Sequence, residues 1–344
     1  MKKAKAIVLF NLGGPDSLES VQPFLFNLFN DPAIISLPTF LRYPLAKIIS
    51  KKRAPIAKEI YREMGGSSPI LELTKQQSDE LEKSLNESQN NTHYKTFVVM
   101  RCWNPRASEI IKEIIKFNPE EVILLPLYPQ YSYSTTGSSL KEWKDICKKN
   151  KFDTKTSTIC CYPTDNNFID AHIDEIKNQI GKNNNEKLIF SAHGLPEKNI
   201  KNGDPYQWQV EQTVKKVVEK INIKNLDYIL SYQSRVGPLK WIGPSTDEVI
   251  IENSKLNKSI VLVPIAFVSE HSETLVELDI EYKKLAKKNG CENYSRVSAL
   301  GTNKNFINSM TQLILNKETY KYKNNIFPPK IQCPQKFNQC PCNQ

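Results

Sequence analysis

The chain has four imidazoles, at His93, His172, His193 and His271. Two of them stand where chemistry is expected. His193 follows the apolar run Leu188-Ile189-Phe190-Ser191-Ala192 and precedes the turn Gly194-Leu195-Pro196, while His271 follows an apolar run ending at Phe267 and precedes a helical pattern. Short unbroken apolar runs mark strands buried on both faces of a parallel sheet. In such sheets ligands bind at the carboxyl ends of strands. His93 and His172 lie in polar or helical surroundings and read as ordinary surface residues. Two strand-end histidines in one half of the chain read as a site.

The helical pattern after His271 carries Glu273, Glu277 and Glu281, spaced so that they share one face, with Leu275, Leu278 and Tyr282 on the other. The plain alternative is a solvated acidic face, with Glu273 favoured at a helix amino end. Glutamates four apart without a lysine between them repel, however. A row of carboxylates leading to an imidazole suits the passage of a divalent cation, and the two ligand types together suit ferrous iron.

Further chemistry sits at the carboxyl terminus. Cys333, Cys340 and Cys342 place three thiols within ten residues. The amino terminus does not read as a signal peptide, because the apolar run 6–10 is short and passes directly into Asn11-Leu12-Gly13-Gly14. No segment approaches the roughly 18 apolar residues of a membrane span. A cytoplasmic protein is expected, where structural disulfides are disfavoured. The eight cysteines therefore read as free thiols or as ligands for a soft metal.

The elements that must position these residues alternate. Strands are predicted at 4–11, 96–101, 121–127, 187–192, 228–232 and 259–267, and helices at 17–29, 71–84, 107–116, 206–221, 272–288 and 303–316. Such alternation predicts an α/β fold with crossover connections. The strands form two groups, so two Rossmann-like lobes are expected, at residues 1–165 and 166–316, each a parallel sheet flanked by helices. Residues 317–344 read as a Cys-rich tail. The 344-residue length is more than one core usually serves. Lysine and arginine number 47 against 37 acidic residues, a formal charge of +10. The lysines are scattered and often sit beside asparagine, which describes a basic solvated surface and no nucleic-acid groove.

Five segments, taken in order, resemble the ferrochelatase family: 11–15 (NLGGP), 125–132 (LPLYPQYS) with 134–139 (STTGSS), 191–196 (SAHGLP), 232–238 (YQSRVGP) and 267–275 (FVSEHSETL). The resemblance runs from about residue 6 to about residue 307. It implies two chelatase-type lobes with an active-site cleft between them, insertion of ferrous iron into protoporphyrin IX as the last step of haem synthesis, and catalysis by His193 with Glu273. By the same resemblance, both residues would also contact the iron substrate, and Glu277, Asp279 and Glu281 would continue a metal or proton path. Leu12, Arg101, Tyr128, Ser132, Tyr133, Ser134, Trp241 and His271 would line the porphyrin pocket. One departure is Cys102, where many relatives carry tyrosine. Cys102 is read as a small pocket residue or a metal-sensitive thiol.

The task explains the residue types. A free-base porphyrin carries two central N–H protons, and bending the ring exposes its nitrogen lone pairs. An imidazole titrates near the working pH and can take those protons. Ring propionates call for cations or hydroxyl donors, for which Arg101 and the loop at 134–139 are candidates.

Residues 36–56 correspond to the family's lip over the active-site mouth. They mix apolar groups with Arg42, Lys47, Lys51, Lys52 and Arg53. Such a segment can rest on an anionic membrane or simply cover the site as an amphipathic helix. Some ferrochelatases hold a [2Fe–2S] cluster on three tail cysteines and one internal cysteine. Here the tail set would be Cys333, Cys340 and Cys342, with Cys147, Cys160 or Cys161 as the fourth. Zinc is the rival ligand. The rival functions are a cobalt or nickel chelatase of the same architecture, and a non-catalytic two-lobed protein that binds tetrapyrrole or metal.

Overall fold

The structure is a computed structural model, and it describes residues 3–88, 91–180, 186–235, 237, 239–317, 326 and 333–343. The chain divides into two compact units, Met1–Cys160 with Met310–Phe327 and Cys161–Ser309 with Pro328–Gln344. The division falls five residues before the expected 165/166 boundary. The segment expected as one tail contributes to both units. The Lys321–Asn325 stretch of that tail, the loop at 182–185, and Val236 and Pro238 of the 232–238 segment lie outside the described residues.

The first unit runs β1 (Lys3–Asn11), α1 (Val21–Phe29), α2 (Thr39–Arg62), α3 (Ile70–Ser88), β2 (Thr92–Met100), α4 (Ala107–Phe117), β3 (Glu121–Pro126), a π-helical turn (Tyr133–Gly137), α5 (Ser138–Lys149) and β4 (Thr156–Thr158). Its sheet is parallel, in the order β2-β1-β3-β4. Buried Ala6, Val8 and Phe10 of β1 pack on Ile110, Ile111 and Ile114 of α4 and on Trp143 of α5. The face of α4 follows from its spacing, since Ala107, Ile110, Ile111 and Ile114 recur every three or four residues. Each such buried isoleucine contributes roughly 2 kcal/mol. Asn118, in the left-handed region at φ 52°, ends the helix.

A buried carboxylate ties this unit together. Glu121, at the start of β3, accepts from Ser157 of β4 at 2.6 Å and Lys317 at 2.7 Å, and pairs with Lys5 of β1 at 3.1 Å. Burial opposes the charge. The Lys317, Ser157 and Lys5 contacts overcome it and hold the carboxyl down at about 2, from an ordinary 4.5. The displacement corresponds to about 3 kcal/mol. That stability is complete above about 4.5 and is lost as pH falls toward 2.

The second unit repeats the pattern: α6 (Asn166–Gln179), β5 (Lys187–His193), α7 (Glu197–Lys201), α8 (Tyr206–Ile221), β6 (Tyr228–Gln233), α9 (Thr246–Lys255), β7 (Ile260–Pro264), a π-helix (Glu273–Glu281), α10 (Tyr282–Lys288) and β8 (Tyr294–Arg296). Its sheet is also parallel, in the equivalent order β6-β5-β7-β8. Helix α11 (Lys304–Leu315) begins in the second unit and ends in the first. Ile189 and Leu262 of the sheet pack on Val249, Ile250, Leu278 and Tyr282.

In each sheet the crossover direction reverses beside the first strand, between β1 and β3 or between β5 and β7. Ligands favour such switch points. In both units a π-helical segment follows the third strand. The single helix expected at 272–288 is thus a π-helix running into α10. His172 also departs from expectation. It is a core residue of α6, not a surface one, with its ring 4.8 Å from Phe168 and its imidazole pushed down to about 3 by burial.

Candidate active site at the ends of β5 and β7

His193 is the last residue of β5, and Glu273 opens the π-helix that follows β7, so the two meet at the switch point of the second sheet. The imidazole Nδ1 lies 2.8 Å from Glu273 Oε2. The His193 side chain is 40 % accessible and that of Glu273 24 %, so the pair lines an open surface while remaining half-buried.

Gly194 shapes the approach to it. A Cβ there would stand 2.9 Å from the Gln233 carbonyl oxygen and 3.4 Å from the Trp241 ring. The chain after His193 therefore runs close against Trp241, to which Pro196 is bridged. The buried Trp241 Nε1 has no hydrogen-bond partner.

Around the pair stands a polar shell that sequence reasoning did not resolve. Gln233, the last residue of β6, accepts from Ser191 at 2.7 Å and donates to Glu273 Oε2 at 3.4 Å and Glu277 Oε2 at 3.3 Å. This bonding fixes the orientation of its amide. Ser234 sits in the left-handed region at φ 61°, unusual for a non-glycine residue. The turn directs both its N–H (3.0 Å) and its hydroxyl (2.6 Å) at Glu277. Tyr282 completes the cradle with a 3.1 Å bond to Glu277 Oε1. Beneath, Ser191, Ser231 and Thr246 hydroxyls share a buried chain of hydrogen bonds. Gln233 and Ser234 lay inside a recognisable segment, but nothing in their spacing showed which carboxylates they would meet.

The π-helix is visible in the backbone, where the Tyr282 N–H bonds to the Glu277 carbonyl five residues back. It keeps Glu273 and Glu277 together and sends the rest of the acidic row elsewhere. Asp279 is engaged by Arg296 through two 2.7 Å bonds, and Glu281 is exposed. His271 stands at the edge, its Nε2 4.0 Å from Glu273 Oε1 and its Nδ1 3.0 Å from the Ser269 carbonyl.

The charges are mutually adjusted. Burial would lower the His193 value, but the Glu273 carboxylate, their hydrogen bond and the Glu277 charge raise it above 6.5. Burial likewise penalises ionised Glu273, and the charges of His193 and His271 with the His193 and Ser234 hydrogen bonds hold it well below the carboxylate range. Glu277 moves the other way. Burial and the neighbouring Glu273 charge push it up to about 7 despite its donors. One carboxylate thus stays ionised against the imidazole while its neighbour titrates near neutrality.

The remaining expected porphyrin residues belong to the first unit. Leu12 follows the end of β1, and Tyr128 follows β3 with its phenol value raised by burial. Ser132 is buried, Tyr133 is exposed, and the Ser132 and Ser134 hydroxyls lie 2.9 Å apart. The Gly137 N–H reaches back five residues to the Ser132 carbonyl at 3.1 Å. Arg101 is already committed: its guanidinium pairs with Asp31 at 2.9 Å and Glu142 at 3.4 Å, and its Nε donates to Ser138 at 2.7 Å. Cys102 packs among Val21, Phe24 and Tyr61, and burial pushes its thiol up to about 12, the environment of an inert structural cysteine.

The tail thiols gather in the second unit. Gln209 Nε2 lies 3.1 Å from Cys333 Sγ and 3.5 Å from Cys161 Sγ. Cys333 and Cys342 both contact the Cys340 thiol, and the contact with Cys340 together with burial raises that of Cys333. Cys147, by contrast, packs against the core of the first unit. Among the described residues no three His, Cys, Asp or Glu side chains converge on a site for one ion.

A ferrochelatase family profile matches residues 4–318. The ferrochelatase of Pelagibacter ubique is 70 % identical over 338 residues, covering 98 % of each chain. This chain belongs to the ferrochelatase family. The ferrochelatase of Rickettsia bellii is 51 % identical over 344 residues, covering 99 % of this chain and 96 % of that one. Membership makes the chain an enzyme, a lyase of the metal-chelatase class, and favours iron over the cobalt and nickel alternatives and over a non-catalytic binding role. The fold agrees. SirB from Bacillus subtilis with Fe3+ superposes with a TM-score of 0.56 at 12 % identity, over 91 % of this chain and 95 % of that one. The SirB of subspecies spizizenii in complex with cobalt gives 0.51 at 10 % identity, over 93 % and 98 %. These likenesses establish the two-lobed α/β chelatase architecture.

Proposed function

We propose that this chain inserts ferrous iron into protoporphyrin IX, with His193 as the base that removes the pyrrole protons. The observation that carries the reading is the Glu273 carboxylate held 2.8 Å from His193 Nδ1. With Nδ1–H donated to an ionised carboxylate, the Nε2 lone pair of the neutral imidazole is left for an incoming proton. Two N–H bonds break and two protons leave as Fe2+ takes the four ring nitrogens. His193 can accept these protons one at a time, and Glu277, titrating at about 7, is suited to receive them in turn. Iron enters as substrate. Trp241 and His271, beside the base, are proposed as porphyrin wall residues, and Leu12, Tyr128, Ser132, Tyr133 and Ser134 of the first unit are proposed as further porphyrin contacts. In an anaerobic assay, His193→Ala is expected to fold and quench porphyrin fluorescence normally while losing about 100-fold or more in kcat. Full chelation by that variant would overturn the assignment.

A [2Fe–2S] cluster on Cys161, Cys333, Cys340 and Cys342 is proposed alongside. The donor set fits by type and burial: four buried thiols, with Cys161 and Cys333 both at the Gln209 amide and Cys340 in contact with Cys333 and Cys342. The cluster would supply one-electron redox chemistry or a structural clip. Protein purified anaerobically should show visible absorption and acid-labile sulfide, and Cys161→Ser should lose both. Retention of both by Cys161→Ser would exclude Cys161.

Helix α2 supports a peripheral membrane contact on the cytoplasmic side. No helix among the described residues is long and apolar enough to cross a membrane. Yet Phe40 is 75 % exposed, Ile48 65 % and Ile56 70 %, among exposed lysines and arginines. Apolar groups set in a basic face suit an anionic lipid surface. The protein should co-sediment with phosphatidylglycerol vesicles, and neutralising Arg42, Lys51, Lys52 and Arg53 together should release it. Absence of binding by the unaltered protein would remove the proposal.

A further inference from the structure

Arg296, the last residue of the edge strand β8, lies outside every segment that marks the family site, and its side chain is only 8 % exposed. Its guanidinium makes two sets of paired contacts. Nε and Nη2 each lie 2.7 Å from an oxygen of Asp279, and Nη1 lies 2.9 and 3.1 Å from the two oxygens of Glu270. Nη1 also donates to the Val297 carbonyl at 3.1 Å, and Glu270 accepts the Ala299 N–H at 2.9 Å. Two residues earlier on β8, the Tyr294 hydroxyl donates to the Leu278 carbonyl at 2.6 Å. Glu270 stands just before His271, and Asp279 lies within the π-helix. One buried cation therefore grips both ends of the segment that carries His271, Glu273 and Glu277.

This grip has mechanical content. A π-helix is an uncommon form that survives where its surroundings over-determine it. Relaxation to ordinary i to i−4 bonding would change the rotation between Glu273 and Glu277. Both carboxylates must stay in phase, the first for His193 Nδ1 and the second for the Ser234 N–H and hydroxyl. Paired guanidinium–carboxylate contacts fix orientation as well as distance, which a lysine cannot reproduce.

We propose that Arg296 is a positioning residue for chelation, clamping Glu270 and Asp279 so that the π-helix presents Glu273 to His193. It follows that Asp279 serves as a clamp jaw and not as a station for iron. The inference rests on the proposed role of His193 and Glu273. The unaltered enzyme and His193→Ala run in parallel test that role separately from the clamp.

The test compares Asp279→Asn, Arg296→Lys, Arg296→Met and the double variant Asp279→Asn with Arg296→Met. Anaerobic steady-state kinetics are measured, together with porphyrin binding by fluorescence and near-ultraviolet circular dichroism. A displaced reacting group costs about 10- to 100-fold. That loss is expected in kcat for Asp279→Asn and Arg296→Lys, with KM for porphyrin and for ferrous iron within about 2-fold. The double variant should be no slower than Arg296→Met alone, because both changes open the same clamp. Should Arg296→Met fail to fold, the two milder variants still decide. The proposal is overturned if folded Asp279→Asn and Arg296→Lys keep full kcat. It is equally overturned if Asp279→Asn raises KM for iron while Arg296→Lys does not.

Discussion

An imidazole facing a partly desolvated carboxylate is the constraint on which the second unit is built. Glu273 costs free energy to hold ionised near Glu277, and the His193 charge and hydrogen bond, the His271 charge and the Ser234 and Gln233 donors offset that cost. The strands, the left-handed Ser234 and the π-helix serve the same end. Each brings a donor or an acceptor to one cluster at the end of β5. The pair is complete between about 4.5, the ordinary carboxylate value, and about 6.5, the ordinary imidazole value. Below that window the depressed Glu273 is the last to protonate, and above it the contribution fades as pH rises through the raised His193 value.

The two units solve a related geometric problem twice. Both sheets place their first strand beside a switch point, and both follow the third strand with a π-helical segment. In the first unit that segment orders hydroxyls, Ser132 and Ser134 among them. In the second it orders carboxylates. Arg101 shows how burial redirects a residue: its charge is engaged by Asp31, just after α1, and by Glu142 of α5, and its Nε donates to Ser138.

Much of this was legible in the sequence, for physical reasons. The long strands β1, β3, β5 and β7 are buried on both faces, so their apolar runs are unbroken and their ends locate His193. Strands β4 and β8 are three-residue edges with no such run, and they went unseen. That omission also hid Arg296, whose partners lie on other elements. The acidic row was read with α-helical spacing. That spacing placed Glu273 and Glu277 on a common face, as in the structure, but it could not show Asp279 turning to a guanidinium or Glu281 reaching solvent. His172 looked like a surface residue because polar residues flank it. Its burial comes from packing on Phe168, which its local sequence does not encode. The sequence could not show that the Gln209 amide would stand between Cys161 and Cys333, since the three residues are far apart along the chain.

The central claim is that Glu273 makes His193 a stronger base. Titration of the His193 imidazole by nitrogen-15 NMR, in the unaltered protein and in Glu273→Gln, tests it most directly. The account predicts a midpoint above 6.5 in the unaltered protein and a lower one in the variant, because removing the carboxylate leaves burial less opposed. An unchanged midpoint in a folded Glu273→Gln protein would contradict it.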